Sequence, residues 1–260
     1  MRELERIAAL PSPPANARIA VVGRGRLGSA LVPALGDAGF TASGPHGRGA
    51  PPASDVVVLC VPDAQIEAAA TAAAGSAPLV GHTSGATPLS ALDGAEAEAF
   101  GLHPLQTFTG AGGTFAGCGC AIGGATPRAL ATADRIARAL GMRPFELADA
   151  ARPAYHAAAS IASNFLVTIE AAAEQVAAGA GLAPAEARAL LAPLVRSTVD
   201  NWAALGPDDA LTGPVRRGDS ATVERQRAAV VATAPELAPL WDALVEATRA
   251  LASVREEQPA

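Results

Sequence analysis

The stretch ARIAVVGRGRLG, residues 17–28, decides the fold of this chain. Its first half is short and continuously apolar, as in a strand that is buried on both faces of a parallel sheet. Its second half is a G-x-G-x-x-G turn formed by Gly23, Gly25 and Gly28, and a helical pattern follows. In such a turn the first glycine permits the tight bend, the second lets a pyrophosphate approach the backbone, and the third lets helix and strand pack closely. This order predicts a dinucleotide-binding unit; the alternative is a glycine-rich turn that binds nothing.

The residues near the turn favour NADP over NAD. The acidic residue that usually binds the ribose hydroxyl is missing, because no Asp or Glu lies between Phe40 and Asp55. Basic residues occur instead, namely Arg24 and Arg26 in the glycine turn and His46 and Arg48 farther along the chain. Arginine suits a 2′-phosphate, whereas arginines that merely face solvent on a loop are the alternative. The predicted cofactor-binding residues are Gly23, Arg24, Gly25, Arg26, Leu27, Gly28, Val61 and Pro62.

Hydrophobic patterning divides the chain into three parts. Residues 1–16 are charged and then proline-rich, which predicts a flexible lead-in. Residues 17–149 alternate strands and helices, as in a parallel sheet with helices on both faces. Residues 150–260 show only helical patterns. The predicted helices of that part are 152–179, 184–204, 219–232 and 236–253. The predicted fold class is therefore α/β, a Rossmann-type parallel-sheet domain followed by an all-helical domain that serves substrate binding or dimerisation.

Single residues mark the ends of several elements. Pro33 should kink or cap the first helix, because proline removes one helix hydrogen bond. Asp63 is predicted to cap the helix that follows the strand VVVLC, and Thr126 with Pro127 is predicted to begin another helix. Asp219 is predicted to cap a helix of the last part.

Composition limits the classes of partner. The 260 residues carry a formal net charge of −6, which argues against nucleic acid and against an anionic membrane surface. No apolar run is long enough for a signal peptide or a membrane span. The three cysteines form no disulfide framework, and Cys118-x-Cys120 lacks a second ligand pair for a metal. These features predict a cytoplasmic protein without a metal site. No lysine is present, so no lysine serves as a catalytic acid or base.

Two polar clusters follow predicted strands. One is HTSG, residues 82–85, and the other begins at His103-Pro104. Because ligands of open parallel sheets bind at the carboxyl ends of the strands, we predict that Ser84 and His103 lie near the reacting atoms. Two alternatives stay open: the hydroxyl groups of HTSG bond the local backbone in a turn, or His103 is a structural histidine.

The helical part adds further candidate residues. His156, Ser160 and Asn164 are spaced i, i+4, i+8, which places them roughly along one helix face. This polar face either closes over a cofactor cleft or faces water. Farther on, Arg216 or Arg217 is able to bind a substrate carboxylate in a bidentate pair.

The motifs together resemble a known family. In chain order they are GRGRLG, CVPD, HTSG, GLHPLQTF, YHAAASIASNF and LTGPVRRGD, and the likeness runs from about Ala17 to Leu251. The sequence is similar to Rossmann-like proteins with a C-terminal helical domain of unknown function, whose members are often described as NAD(P) oxidoreductases. It is more distantly similar to pyrroline-carboxylate reductases, prephenate dehydrogenases and β-hydroxyacid dehydrogenases. The helical domain of these enzymes often dimerises, so the resemblance implies a homodimer through the helical domain.

The resemblance also implies roles for single residues. Prephenate dehydrogenases have a comparable His-Pro element, which implies that His103 contacts the substrate or is catalytic. The β-hydroxyacid enzymes carry a lysine four residues before an asparagine on the first helix of the second domain. Asn164 matches the asparagine, but Ser160 stands in place of the lysine. His103 or His156 would therefore have to donate the proton.

Two functions are consistent with these residues. The first is an NADP-dependent (or NAD-dependent) oxidoreductase that transfers a hydride to or from a small carboxylate-bearing ketone, imine or alcohol. The predicted catalytic residues are His103, Ser84, Asn164, His156 and Arg217. The alternative is a dinucleotide-binding regulatory protein without turnover, since no lysine and no matched acid–base pair is evident.

Overall fold

Seven strands form one sheet in the computed structural model, which describes residues 16–109 and 113–253. The predicted lead-in lies outside the described residues, apart from Asn16. The strands are β1 (Arg18–Val22), β2 (Thr41–His46), β3 (Val56–Leu59), β4 (Leu79–His82), β5 (Glu98–Pro104), β6 (Gly119–Gly124) and β7 (Arg143–Glu146). Their spatial order is β2-β1-β3-β4-β5-β6-β7.

The sheet is mostly parallel, and one pair of strands departs from the prediction. All neighbours pair in parallel except β5 and β6, which are antiparallel, with Gly101 opposite Gly123. A parallel pair needs a crossover connection, usually a helix. The described residues between β5 and β6, 105–109 and 113–118, contain no helix. The chain therefore turns back along the edge of β5.

Helices cover both faces of the sheet, as predicted. The helices of this part are α1 (Arg26–Asp37), α2 (Ile66–Ala72), a 3-10 segment (Leu89–Ala95) and α3 (Pro127–Ala139). Leu31 and Leu35 of α1 share one buried cluster with Ile136 of α3 and with alternate strand residues. Ile66 of α2 and Leu92 of the 3-10 segment belong to the cluster on the other face. The strands thus contribute apolar side chains to both faces.

The structure agrees with most of the local signals. Thr126 caps α3, where its hydroxyl accepts a hydrogen bond from the amide of Ala129. Helix α1 continues through Pro33 without a break. The prediction for Asp63 was wrong: it lies inside a 3-10 turn (Asp63–Gln65) ahead of α2, and its side chain caps nothing.

The remaining helices follow β7. They are α4 (Arg152–Ser160), a π-helical segment (Ile161–Phe165), α5 (Leu166–Ala177), α6 (Pro184–Ala210), α7 (Ser220–Thr233) and α8 (Ala238–Ser253). Gly206 has φ +77°, so α6 is interrupted there. Asp219 caps α7 through the amide of Thr222, as predicted.

Contacts within the chain define two units. The first ends at Ser163 and the second begins at Asn164. Helix α4 therefore belongs to the unit that contains the sheet, whereas the predicted domain boundary precedes this helix. Within the described residues no single helix is long and apolar enough to cross a membrane. One bent pair of helical segments is long and apolar enough when taken together, namely Asp149–Ala180 with Pro184–Ala210.

Candidate functional site

The glycine turn after β1 has the geometry that its sequence predicts. Gly23 has φ +115°, and a Cβ there would lie 2.1 Å from the carbonyl oxygen of Cys60. A Cβ on Gly28 would lie 2.0 Å from the carbonyl oxygen of Gly23. Gly25 differs, because nothing lies within 4 Å of the position of its Cβ. The first and third glycines thus permit the turn and the close packing of α1, and the second borders open space.

The N-terminus of α1 faces that open space without a capping side chain. Gly25 is the N-cap residue, with φ −74° and ψ 177°, and no side chain in the described part of the chain accepts a hydrogen bond from the first turn. The first amides of a helix have no partner within the helix, and they carry the positive end of its dipole. Together these features form a site suited to a phosphate group.

A cavity of about 690 Å³ adjoins the turn. Its walls include Arg24 and Gly25 of the turn, Arg48 beyond β2, and Val61-Pro62 after β3. The guanidinium carbon of Arg24 lies 3.3 Å from the position that a Cβ on Gly47 would take, so this side chain extends toward the end of β2. The end of β2 thus has no acidic residue, and two cationic side chains, Arg24 and Arg48, lie in the cavity wall.

The side chains of three residues near the turn make other contacts, although Arg26 and Leu27 belong to the first turn of α1. Nη1 of Arg26 approaches the carbonyl oxygen of Phe108, at 3.4 Å. His46 shares a hydrogen bond of 3.1 Å with the hydroxyl of Ser43. The side chain of Leu27 packs against the core. None of these three side chains lines the cavity.

His103 and Tyr155 form a pair at the carboxyl edge of the sheet. His103 lies near the end of β5, and Tyr155 lies on α4. Nδ1 of His103 and the hydroxyl oxygen of Tyr155 are 2.7 Å apart. Their rings are perpendicular, with centroids 5.5 Å apart. This hydrogen bond joins the sheet to α4 within the first unit.

Gly85, at the end of the HTSG turn, leaves room for this pair. A Cβ on Gly85 would lie 2.9 Å from Cε1 and 3.0 Å from Nε2 of His103, and 3.0 Å from Cδ2 of His156. The centroids of the two imidazoles are 6.3 Å apart. The structure therefore brings together the ends of β4 and β5, as the sequence predicts, and adds the start of α4.

Ser84 takes part mainly in its own turn. Its hydroxyl donates to Oγ1 of Thr87 and accepts from the amides of Ala86 and Thr87. These are the local bonds that the alternative interpretation of HTSG expects. Since the only hydroxyl proton is used by Thr87, the geometry favours a turn-forming role for the side chain of Ser84.

Arg152 is a buried cation beneath this edge. It is only 2% exposed, and its Nε donates to Oδ1 of Asp149 at 2.6 Å. Its Nη1 approaches the carbonyl oxygen of Ser84 at 3.4 Å. The facing glycines Gly101 and Gly123 leave room for the guanidinium; a Cβ on Gly101 would lie 2.7 Å from Nη2. A buried charge needs such a partner, because removing one member of the pair is strongly destabilising.

His82 is a second buried polar group near Arg152. Its Nδ1 accepts a hydrogen bond from the amide of Ser84 at 3.2 Å, and its Nε2 has no partner among the described residues. Burial, aided by the charge of Arg152, lowers the pKa of His82 to about 4. His82 is therefore neutral at physiological pH and helps to hold the turn that contains Ser84.

The predicted polar face of the long helix is interrupted. His156 and Ser160 lie in α4, but the π-helical segment Ile161–Phe165 contains Asn164. A π segment inserts one residue per turn, so the i, i+4, i+8 spacing no longer describes one face. Asn164 and Arg217 belong to the second unit, and both are exposed. Arg216 donates to the carbonyl oxygen of Asp208 within that unit.

Sequence comparison identifies the family. The profile of a domain of unknown function, DUF2520, matches residues 118–248, just over half of the chain. The chain belongs to the DUF2520 family. This match confirms the resemblance that the motifs indicate. No curated protein matches the sequence significantly.

Solved structures share the fold of this DUF2520 protein. The candidate NADP oxidoreductase BF3122 of Bacteroides fragilis is 20% identical, with a TM-score of 0.77 over 90% of this chain and 98% of that one. Protein TM1727 of Thermotoga maritima is 22% identical, with a TM-score of 0.70 over 92% and 100%. A reductive aminase of Aspergillus terreus, in complex with NADPH, is 20% identical, with a TM-score of 0.63 over 93% and 95%. The predicted fold class, a Rossmann-type sheet followed by a helical part, is confirmed.

Sequence reasoning missed two residues of this DUF2520 site. Tyr155 stands out only as a polar residue on a helix, and Arg152 carries no motif. Arg152, Tyr155 and His156 are spaced i, i+3, i+4, which places them on one helix face. That spacing could have identified these residues as one group. Because residues 150–260 were predicted to form a separate helical domain, however, the sequence did not indicate that this helix face packs against the sheet.

Proposed function

We propose that this chain is an NADP-dependent oxidoreductase that transfers a hydride to or from a small carboxylate-bearing ketone, imine or alcohol. The observation that carries the proposal is the glycine turn, whose second glycine borders a cavity of about 690 Å³. The likeness in fold to a reductive aminase in complex with NADPH adds support. The same features also fit a dinucleotide-binding regulator without turnover. Oxidation of NADPH that depends on a substrate would exclude this alternative.

The residues of the cavity fit the phosphates of NADP. The uncapped amides at the start of α1 would bind the pyrophosphate, next to Gly25. Arg24 and Arg48 would bind the 2′-phosphate, and Val61-Pro62 would pack against the cofactor. When bound, the nicotinamide supplies or accepts the hydride.

The site residues would orient and protonate the substrate. His103 would donate a proton to the developing oxygen or nitrogen, with Tyr155 and His156 beside it. The turn around Ser84 would shape the floor of the site through its backbone. From the helical unit, we keep Arg217 as the candidate for the substrate carboxylate and Asn164 as the candidate that orients the substrate.

The two arginines of the cavity wall should determine the choice of cofactor. We expect Arg24→Ala and Arg48→Ala each to weaken NADPH binding by about 10- to 100-fold, because each removes a charge-assisted hydrogen bond to the 2′-phosphate. NADH binding should change little. Fluorescence titration of both nucleotides measures this. Arg128→Ala is the matched control, since this arginine pairs with Glu98 outside the cavity. Equal losses for NADPH and NADH would contradict the assignment.

The second unit carries the surface through which we propose that the chain forms a homodimer. Large apolar side chains are exposed along the π segment and helices α5 and α6, including Phe165 (55%), Val167 (69%), Leu190 (60%), Leu194 (63%) and Trp202 (58%). A groove of about 500 Å³ lies between α5 and α6. A group of exposed large apolar side chains is typical of a protein–protein interface. We expect a dimeric mass by light scattering at micromolar concentration and a monomeric mass for Leu190→Glu/Leu194→Glu. A monomeric wild-type protein would contradict the proposal.

A further inference from the structure

We propose that Tyr155 fixes neutral His103 in the tautomer that carries its proton on Nε2, so that the site donates a hydrogen bond to a carbonyl oxygen beside Gly85. This inference rests on the proposed function and narrows its substrate class to compounds whose reacting oxygen or nitrogen carries a lone pair, which excludes iminium ions. Tyr155 is then a positioning residue that acts through His103.

The direction of the hydrogen bond follows from the chemistry of its two groups. A phenol O–H is a stronger acid than an imidazole N–H, and an imidazole nitrogen is a far better acceptor than a phenol oxygen. The bond of 2.7 Å is also the only one that the hydroxyl of Tyr155 makes among the described residues. If Nδ1 of His103 donated instead, the hydroxyl proton would have no acceptor there. Tyr155 therefore donates to Nδ1, and the proton of neutral His103 lies on Nε2.

Burial is the main reason that both groups of the pair are neutral. Burial, then the nearby His156 and Arg152, lower the pKa of His103 to about 4, although Asp63 acts in the opposite direction. Burial, with Cys120 and Cys118 close by, raises the pKa of Tyr155 to about 12, and Arg152 opposes this rise. Arg152 thus disfavours a proton gain by His103 and favours negative charge on the phenol oxygen.

Nε2 of His103 is the free end of the pair. It makes no hydrogen bond among the described residues, and its edge of the ring lies against Gly85. Because Gly85 has no side chain, this edge of the ring lies close to its backbone; a Cβ there would lie 3.0 Å from Nε2. Nε2 is therefore the nitrogen of His103 that is available to donate to a substrate oxygen.

The proton movements balance for a carbonyl substrate. The carbonyl carbon gains the hydride, the C=O π pair moves to oxygen, and the oxygen takes the Nε2 proton of His103. Nδ1 takes the proton of Tyr155 in the same step, which leaves a phenolate near Arg152. A proton from solvent then returns to Nε2 as Nδ1 gives its proton back to the phenolate, which restores the starting tautomer. An iminium nitrogen has no lone pair to accept the Nε2 proton, so this tautomer does not assist iminium reduction.

The tautomer is measurable without cofactor or substrate. The chain has four histidines and one tyrosine, so the spectrum of [15N]histidine-labelled full-length protein is simple, and Tyr155→Phe removes only one phenol group. We expect His103 to be protonated on Nε2 in the wild type. In Tyr155→Phe, the Nδ1 resonance should shift toward that of a free imidazole nitrogen, while ring packing and the thermal midpoint are kept. His103→Gln assigns the signals. A proton on Nδ1 in the wild type, or an unshifted Nδ1 resonance in Tyr155→Phe, would overturn the inference.

Turnover supplies an independent readout. With NADPH and a panel of ketoacids and N-alkylated cyclic iminium ions, we expect only the turnover of the ketoacids to depend on Tyr155. Tyr155→Phe should lower kcat on a ketone by about 10- to 100-fold with little change in KM. An unchanged kcat on the ketoacids, or an equal loss of kcat on the iminium ions, would overturn the inference. Failure of the wild type to bind NADPH would instead remove the proposed function, and the NMR result would stand on its own.

Discussion

Gly25→Val is expected to leave the fold intact and to weaken NADPH binding by about 100-fold or more. The backbone at Gly25 has φ −74°, which any residue adopts, and no atom lies within 4 Å of the position of its Cβ. The new side chain would therefore fill the space through which a pyrophosphate reaches the amides of α1. Titration with NADPH, together with the thermal midpoint, measures both effects.

Two glycines of the same helix serve as controls. Gly36→Ala also enters open space, away from the cavity, so it should keep NADPH affinity and stabilise α1 by about 1 kcal/mol. Gly28→Ala would place Cβ 2.0 Å from a backbone oxygen, so it should destabilise the fold by about 3 kcal/mol. If Gly25→Val bound NADPH as the wild type does, the pyrophosphate assignment would be wrong.

His103→Gln is expected to lower kcat by about 10²- to 10³-fold on any ketoacid that the wild type reduces. Glutamine keeps a polar side chain but does not act as a proton donor of comparable strength, and general acid–base groups contribute to rates on this scale. NADPH affinity should not change, since His103 does not line the cavity beside the glycine turn. Steady-state kinetics with a parallel NADPH titration separates the two effects. Full turnover by the variant would remove His103 from the mechanism.

The low pKa of His103 also predicts the dependence on pH. Because burial holds this pKa near 4, His103 is neutral from pH 6 to 8 and its protonation state is constant there. The contribution of His103 to kcat/KM should therefore stay level over that range and change only as the pH falls toward 4, where Nδ1 gains a proton and no longer accepts from Tyr155. A loss of activity centred near pH 6.5 in the wild type, and absent from His103→Gln, would show that His103 has an ordinary pKa.

The elements with strong local chemistry could be predicted from the sequence. The turn at Gly23 and Gly28 is one such element, because only glycine avoids the backbone oxygens that lie about 2 Å from each Cβ position. The start of α3 is another such element, since the side chain of Thr126 accepts a hydrogen bond from the first turn and Pro127 has no amide that needs a partner. In both places, a few adjacent residues determine the structure.

Features that depend on distant residues could not be predicted. The antiparallel pairing of β6 depends on a connection without a crossover helix, which hydrophobic alternation does not reveal. The burial of Arg152 depends on Gly101 and Gly123, which face each other only once β5 and β6 are paired. The bond between His103 and Tyr155 likewise joins residues 52 positions apart.

Titration of the wild-type protein with NADPH, followed by nicotinamide fluorescence, tests the central claim most directly. The geometry of the glycine turn and its cavity predicts saturable binding of NADPH and weaker binding of NADH. If folded protein bound neither nucleotide, the turn would be structural or would hold a different phosphate ligand, and the proposed oxidoreductase function would be wrong.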